Sequence, residues 1–475
     1  MTISPQPICA ISTPPGIGGI AVVRISGDNA IPVVNKVWKG KDISSWKTHT
    51  AHLGMIVDPE TGIPLDQAVG TLFLGPDSYT GQDTIELSVH GSKFVQRELI
   101  TLLLKVGARL AEPGEFTRLA FSSGKIDLAE AEAVADLIAA NSRAAHRVAL
   151  SQMKGHYSQT LNTLREKLID LSALIELELD FSEEEVEFAN RDTLLSTARE
   201  IHSQVSRLYQ SFSSGSVIKQ GLPVAIIGNT NAGKSSLLNA LLNDDRAIVS
   251  DIHGTTRDTI EETLEIGDHL FRLIDTAGLR NTGDTIEQIG ITRSLKAVSK
   301  ASIVLFIIDP FQPVATNIEA ITSTLSALNP ENPTHIVILI NKSDLPGYED
   351  AEKNILDNLA PHLASINPSP SIIEISAATR HNLPKLLQTL QEIADDITGG
   401  IADSATIVTN ARHAQALLDA AQSSARTIDA LTQNLSGELI AQHLRETIHH
   451  LSQITGQITS PQILSTIFSR FCIGK

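Results

Sequence analysis

Cysteine is nearly absent from this sequence: Cys9 and Cys472 are the only two among 475 residues. A disulfide framework is therefore excluded, and the pair reads as two separate thiols of a reducing compartment. Long hydrophobic runs are also missing, since each apolar stretch meets Asp, Glu, Lys or Arg before reaching the roughly 20 residues that a membrane span needs. The opening Met1-Thr-Ile-Ser-Pro-Gln-Pro7 has neither a basic region before an apolar core nor the Arg-rich character of a transit peptide. These absences predict a cytoplasmic protein with no membrane partner. Positive charge is in deficit as well, with 37 Lys and Arg against 54 Asp and Glu for a net charge of -17. A broad basic surface gripping nucleic acid is thus disfavoured, and any RNA contact is expected to be local or shared with a partner.

A chain of this length exceeds what a single core supports, and roughly 150 residues per domain suggests about three domains. Four stretches are visible. Residues 1–119 alternate short β-rich runs, such as Ile20 to Ile25 and Thr84 to Val89, with Gly and Pro, which predicts an α+β domain. Residues 120–215 carry apolar residues at helical spacing, including Leu161, Leu164, Leu168, Leu171 and Ile175. A Ser/Gly-rich joint from Ser211 to Pro223 precedes alternating apolar strands and helices over 221–397, the pattern of a parallel α/β domain. Helical spacing returns over 400–475. The expected fold class is multidomain α/β plus α, with an all-α helical domain interrupted by an inserted α/β domain.

The chemistry is concentrated in the inserted stretch. Gly228-Asn-Thr-Asn-Ala-Gly-Lys-Ser235 follows an apolar strand and opens a helix, the context of a P-loop. Its glycines let backbone N–H groups turn toward phosphates, Lys234 supplies a point charge and the Ser235 hydroxyl suits Mg2+; Asn231, Ala232, Gly233 and Ser236 complete the loop. Gly254-Thr-Thr-Arg-Asp258 is the expected switch loop, with Thr256 as the second Mg2+ hydroxyl. Asp275, Thr276, Ala277 and Gly278 follow a strand and are expected at the magnesium and the γ-phosphate. Asn341-Lys-Ser-Asp344 also follows a strand. The Asp344 carboxylate can accept paired hydrogen bonds from guanine N1–H and its amino group, which adenine cannot supply; Lys342 lies in the same loop. Ser376, Ala377 and Ala378 follow a further strand and would offer backbone contacts to the base. This order and spacing predict GTP binding and hydrolysis. The strand Ile303 to Ile308, between them, displays no chemical motif.

Where Ras-type proteins carry a water-orienting Gln, this chain has Leu279, which cannot hydrogen-bond a water. Glu287, in Thr285-Ile-Glu-Gln-Ile-Gly290, is the candidate to orient the attacking water; the alternative is a solvated glutamate at a helix start. Cys9 lies in an apolar run and reads as core. Glu183-Glu-Glu-Val-Glu187 reads as a solvated face.

The P-loop with Asn231, the string Ala247-Ile-Val-Ser-Asp-Ile-His-Gly-Thr-Thr-Arg-Asp258, Asp275-Thr-Ala-Gly-Leu-Arg280 and the terminal Phe471-Cys-Ile-Gly-Lys475 resemble the MnmE (TrmE) family of bacterial tRNA-modification GTPases. The resemblance spans essentially the whole chain, including Thr13-Pro-Pro-Gly-Ile-Gly-Gly-Ile-Ala-Val-Val-Arg24 and Lys125-Ile-Asp-Leu-Ala-Glu-Ala-Glu132. It implies a Ras-like P-loop G domain inserted in the helical domain, behind a folate-binding-like N-terminal domain. It implies a homodimer that joins the flavoprotein MnmG in a heterotetramer or larger complex. That complex adds a carboxymethylaminomethyl or aminomethyl group to C5 of the tRNA wobble uridine. The one-carbon unit would come from 5-formyltetrahydrofolate or methylenetetrahydrofolate, with Arg24, Glu86, Lys125 and Lys475 at folate-contacting positions.

The resemblance also implies activation by K+ and by pairing of G domains, with Asn231, Ser250, Ile252 and Thr255 at the potassium positions and Glu287 as the catalytic carboxylate. Ser250 stands where relatives often carry Thr, and the hydroxyl is kept. Cys472 falls near the folate site, where a nucleophilic or redox role stands against that of a small buried hydrophobe. A ribosome-assembly GTPase of the Era or Der type is the alternative, but the chain has neither a KH-type module nor a second G domain.

Overall fold

A computed structural model describes residues 6–180, 191–243, 248–249, 262–274, 296–328, 334–364, 366, 368–399 and 406–474. The chain forms two compact units, one of residues 1–135, 152–201 and 422–475 and the other of residues 136–151 and 202–421.

In the first unit a seven-stranded sheet has the order β3-β4-β5-β6-β2-β1-β7. Its strands are β1 (Ile8–Ile11), β2 (Gly18–Ser26), β3 (Trp38–Lys39), β4 (Thr50–Val57), β5 (Pro64–Phe73), β6 (Thr84–Gly91) and β7 (Arg109–Leu110). Pairing is antiparallel except between β1 and β7. Side chains alternate across a strand. Val23, Ile25, Ile85, Leu87 and Val89 thus enter a core with Leu99 and Leu103 of the helix Lys93–Lys105, and Arg24 and Glu86 are left as cross-strand partners on the opposite face. That second face is covered in part by Phe116, which is fully buried with Ile8, Ala10 and Ala111 at the start of the helix Glu115–Ser122. The long helices His156–Asp180 and Gly437–Thr455 belong to the same unit. The C-terminal helix Pro461–Phe468 packs Phe468 and the following Phe471 against Leu128 and Ala131.

The second unit holds the other seven-stranded sheet, ordered β14-β13-β12-β8-β11-β10-β9. The strands are β8 (Leu222–Gly228), β9 (Ile248–Val249), β10 (Glu262–Ile266), β11 (His269–Ile274), β12 (Ile303–Ile308), β13 (His335–Ile340) and β14 (Ser371–Glu374). Strands β11, β8, β12, β13 and β14 run parallel, and β10 pairs antiparallel with both β11 and β9. Strands β12 and β13 read as near-continuous aliphatic runs because both faces are covered. Leu305, Ile307, Val337 and Leu339 pack with the helices Lys234–Leu242 and Leu383–Thr398. Phe306, Ile308, Ile336 and Ile338 pack with Val314–Ser326 and Tyr348–Leu363.

The Ser/Gly-rich joint is not a loop. One helix runs unbroken through it, from Arg191 to Gln220. Gly215 is there because a Cβ would collide with the Val408 carbonyl. Ser211 Oγ accepts a hydrogen bond from Val408 N at 3.2 Å, and Ser214 Oγ donates to Ile397 O at 3.3 Å. Small residues here serve close packing against the neighbouring Ile407–Val408 segment, a cause that composition alone does not distinguish from flexibility. Gly215→Ala accordingly lowers stability by about 1–3 kcal/mol through overpacking, despite a helix-propensity gain of roughly 1 kcal/mol. Thermal unfolding followed by circular dichroism checks this; a raised midpoint would show that propensity wins.

Candidate functional site

The carboxyl ends of β8, β12 and β13 converge on one edge of the parallel sheet, where ligands of open α/β sheets bind. Gly228 ends β8 against β12 so closely that a Cβ would meet the Ile307 carbonyl. The chain then turns through Asn231 and Gly233, with φ of 62° and 107°, into the helix Lys234–Leu242. Consecutive N–H groups and the positive end of the helix dipole thereby face outward, the construction of an anion cradle. Lys234 Nζ donates to Gly228 O and Asn229 O, each at 2.7 Å. Burial depresses its pKa below 10.5, and bound phosphate would oppose that depression by favouring the ammonium. Ser235 is half-buried and Ser236 and Asn231 are exposed at the lip.

The buried Asn341 side chain joins three loops. Its Nδ2 donates to Ala232 O at 2.7 Å and its Oδ1 accepts from Ala377 N at 2.9 Å. Gly233 is required opposite it, because a Cβ there would strike the Asn341 amide. The loop at 229–233, the loop at 341–344 and the Ser376-Ala377-Ala378 turn are thus held together, with Asp344 exposed and Ser376 buried. Ser376 Oγ accepts from Thr379 N at 3.2 Å, which shapes the turn.

Other expected site residues, Ser250, Ile252, Thr255, Thr256, Asp275, Thr276, Ala277, Gly278, Glu287 and Lys475, lie outside the described residues, as do Glu183 to Glu187.

Arg24 and Glu86 are brought together across β2 and β6, with Arg24 Nε donating to Glu86 Oε1 at 2.8 Å. The guanidinium lies 5.5 Å from the Tyr79 ring centroid and 5.6 Å from that of Phe116. Lys125 reaches the same loop as Tyr79, its Nζ donating to Pro76 O at 2.8 Å. Tyr79, Phe116 and Glu115 carry no motif that singles them out in the sequence. Glu115 is buried and accepts from Arg109 at 2.6 and 2.8 Å and from Arg118 at 2.9 Å. Burial opposes its charge, but the Arg109 hydrogen bonds and the Glu112 N–H hold its pKa below 4.5. This carboxylate fixes the start of the helix that presents Phe116.

The C-terminal tail enters the same region. Gly114 N donates to Cys472 O at 3.4 Å, and Ser12 Oγ donates to Gly474 O at 3.1 Å. Cys472 is exposed, contrary to a buried hydrophobe, because Phe468 and Phe471 take the core positions and leave its side chain outward. Cys9 is buried, and burial pushes its thiol up to about 11, which keeps it inert. Among the described residues no group of His, Cys, Asp and Glu could hold a metal, and no helix is long and apolar enough to cross a membrane.

Comparison with known proteins covers the whole chain. The family described as the MnmE helical domain matches residues 128–472, and the GTP-binding protein TrmE N-terminus matches residues 7–125. The chain is 44% identical to the tRNA modification GTPase MnmE of Flavobacterium johnsoniae over 100% of both chains. It is 46% identical to that of Bacteroides fragilis and 45% identical to that of Parabacteroides distasonis, over 98% of this chain and 99% of each relative.

If Asp344 reads guanine, Asp344→Asn reverses the hydrogen-bonding requirement. GTP affinity is expected to fall by about 10-fold or more, equivalent to roughly 1–3 kcal/mol for a mispaired polar group, and xanthosine triphosphate to replace GTP. Competition titrations with both nucleotides check this; unchanged preference for GTP removes Asp344 from the role.

Proposed function

Because the chain belongs to the MnmE family of tRNA modification GTPases, we propose that its GTPase activity drives modification of C5 of the wobble uridine in tRNA, together with the flavoprotein MnmG. The observation that carries the nucleotide half of this reading is the Asn341 bridge between phosphate loop and base-reading loops. Asn231, Ala232, Gly233, Lys234, Ser235 and Ser236 would cradle the phosphates, and Asn341, Lys342, Asp344, Ser376, Ala377 and Ala378 would hold the base. Ser250, Thr255, Thr256 and Asp275 to Gly278 would close over the γ-phosphate.

The hydroxyl of Ser235, beside Lys234 at a helix start, fits a Mg2+ ligand, with Thr256 as its partner. Asn231 is exposed at the lip of the loop, where an amide oxygen suits K+, with Ser250, Ile252 and Thr255 completing the set. A cation there supplies positive charge against the charge that develops on the phosphates. Leu279 offers no hydrogen bond to a water, so Glu287 is assigned to orient the attacking one.

The N-terminal site fits a tetrahydrofolate in its chemistry: two aromatic rings flank an Arg24 guanidinium, Glu86 can pair with a pterin edge, and Lys125 and Lys475 can meet carboxylates. The folate, as 5-formyl or methylene derivative, would supply the one-carbon unit. Exposed Cys472, whose carbonyl is held by Gly114 N, is assigned a nucleophilic or redox role toward the same substrate. Domain limits of 1–119, 120–215, 221–397 and 400–475, a homodimer and a cytoplasmic location complete the reading. Exposed Leu53 and Val69, cross-strand partners on one sheet face, support the dimer.

Mass spectrometry of wobble nucleosides from cells deleted for the gene tests the tRNA role. Loss of 5-substituted uridines, restored by the wild-type copy, is the expected result; unchanged nucleosides would sink the modification reading. For the purified protein, Glu287→Ala is expected to slow GTP hydrolysis by about 10²–10⁴-fold while GDP binding stays intact. Hydrolysis at the wild-type rate would return Glu287 to a solvated surface role.

A further inference from the structure

The strand β12 displays no motif in the sequence, but the loop that leaves it does structural work at the nucleotide site. Asp309, the residue after β12, has a side chain only 6% exposed, and its Oδ2 accepts from Lys342 Nζ at 2.6 Å. Its Oδ1 accepts from Phe311 N at 3.1 Å, which turns the loop. The Asp309 carbonyl accepts from Asn317 Nδ2 at 3.1 Å. Asn317, buried at the foot of the helix Val314–Ser326, accepts in turn from Asn229 Nδ2 at 2.9 Å. Gln312 Nε2 donates to Thr230 O at 2.9 Å. One short loop is therefore tied on one side to the phosphate loop and on the other to the base-reading loop.

Lys342 needs such a tie. Its φ of 68° puts a non-glycine residue in the left-handed region, a conformation that persists only where surroundings over-determine it. A charge pair with a buried carboxylate and a short, charge-assisted hydrogen bond meets that requirement. Asp344 lies two residues beyond, so the position of its carboxylate follows from how Lys342 is held. An asparagine at 309 would present an amide of the same shape but without the charge that fixes the ammonium.

We infer that the segment Asp309–Asn317, the loop after β12 and the first turn of the next helix, is a brace for guanine-nucleotide binding, with Asp309 its positioning residue: it sets Lys342 and, through Asn317 and Gln312, the phosphate loop, without touching the reacting atoms. The inference rests on the guanine-nucleotide reading of this site and names a residue that sets its affinity.

The test is stopped-flow release of fluorescent mant-GDP from the full-length protein, together with steady-state GTP hydrolysis. Asp309→Asn is expected to release mant-GDP about 10-fold faster and to raise the KM for GTP by a similar factor, the loss of one charge-assisted contact. The kcat at saturating GTP is expected to move far less, a split that general unfolding would not give. Lys342→Met, which removes the tie together with a residue assigned to the base, should release mant-GDP at least as fast, and the double variant should be no worse than Lys342→Met alone, because Asp309 acts through that tie. Should Asp309→Asn not fold, Gln312→Ala carries the test from the exposed side of the loop, with an expected increase in release of about threefold for one neutral hydrogen bond. Release within experimental error of wild type in the folded variants, or additive effects in the double variant, would overturn the brace. A wild-type protein that does not bind mant-GDP at all would instead overturn the nucleotide reading beneath it.

Discussion

The architecture of the nucleotide site depends on one buried side chain. Asn341 carries both a donor and an acceptor on a planar amide, and it uses them in opposite directions, toward Ala232 O and from Ala377 N. Neither partner loop has regular structure of its own at those points. A buried amide left unpaired costs about 1–3 kcal/mol, so the loops are pinned by the penalty for separating as much as by the bonds themselves. Around this hub, the parallel strands deliver the three loops to one edge. Glycines at 228 and 233 remove side chains that would collide with Ile307 O and with the Asn341 amide.

The other end of the chain follows the same logic with different groups. The tail is anchored by burying Phe468 and Phe471 beside Leu128 and Ala131. Hydrogen bonds from Gly114 N and Ser12 Oγ then fix the carbonyls of Cys472 and Gly474. Apolar burial supplies the strength and the backbone contacts supply the register. The result is an exposed thiol on a tail whose backbone is held at Ser12 and at Gly114, the residue that precedes the helix carrying Phe116. Glu115 stiffens the start of that helix, a buried carboxylate that is tolerable only because Arg109 and Arg118 saturate it.

Much of this was legible in residue patterns. The apolar runs at 223–227, 303–308 and 336–340 are strands, and the P-loop and the Asn341 string sit at strand ends as their spacing requires. The Arg24 and Glu86 pairing follows from β2 and β6 register. What the pattern hid has physical causes. The serines and Gly215 in the helix Arg191–Gln220 look like a linker because small residues serve both flexibility and close approach. Asp309 and Asn317 look ordinary because each acts through partners far away in sequence, Lys342 and Asn229. The exposure of Cys472 depends on which of its neighbours claims the core, a three-dimensional competition won by the two phenylalanines.

The central claim, a sheet edge prebuilt for a guanine nucleotide, is tested most directly by isothermal titration of the nucleotide-free protein with GDP and with ADP. GDP should bind with ADP weaker by about 10²-fold or more, since a site built to hydrogen-bond the guanine edge leaves its carboxylate unpaired with adenine. Equal affinity for the two nucleotides would contradict the account.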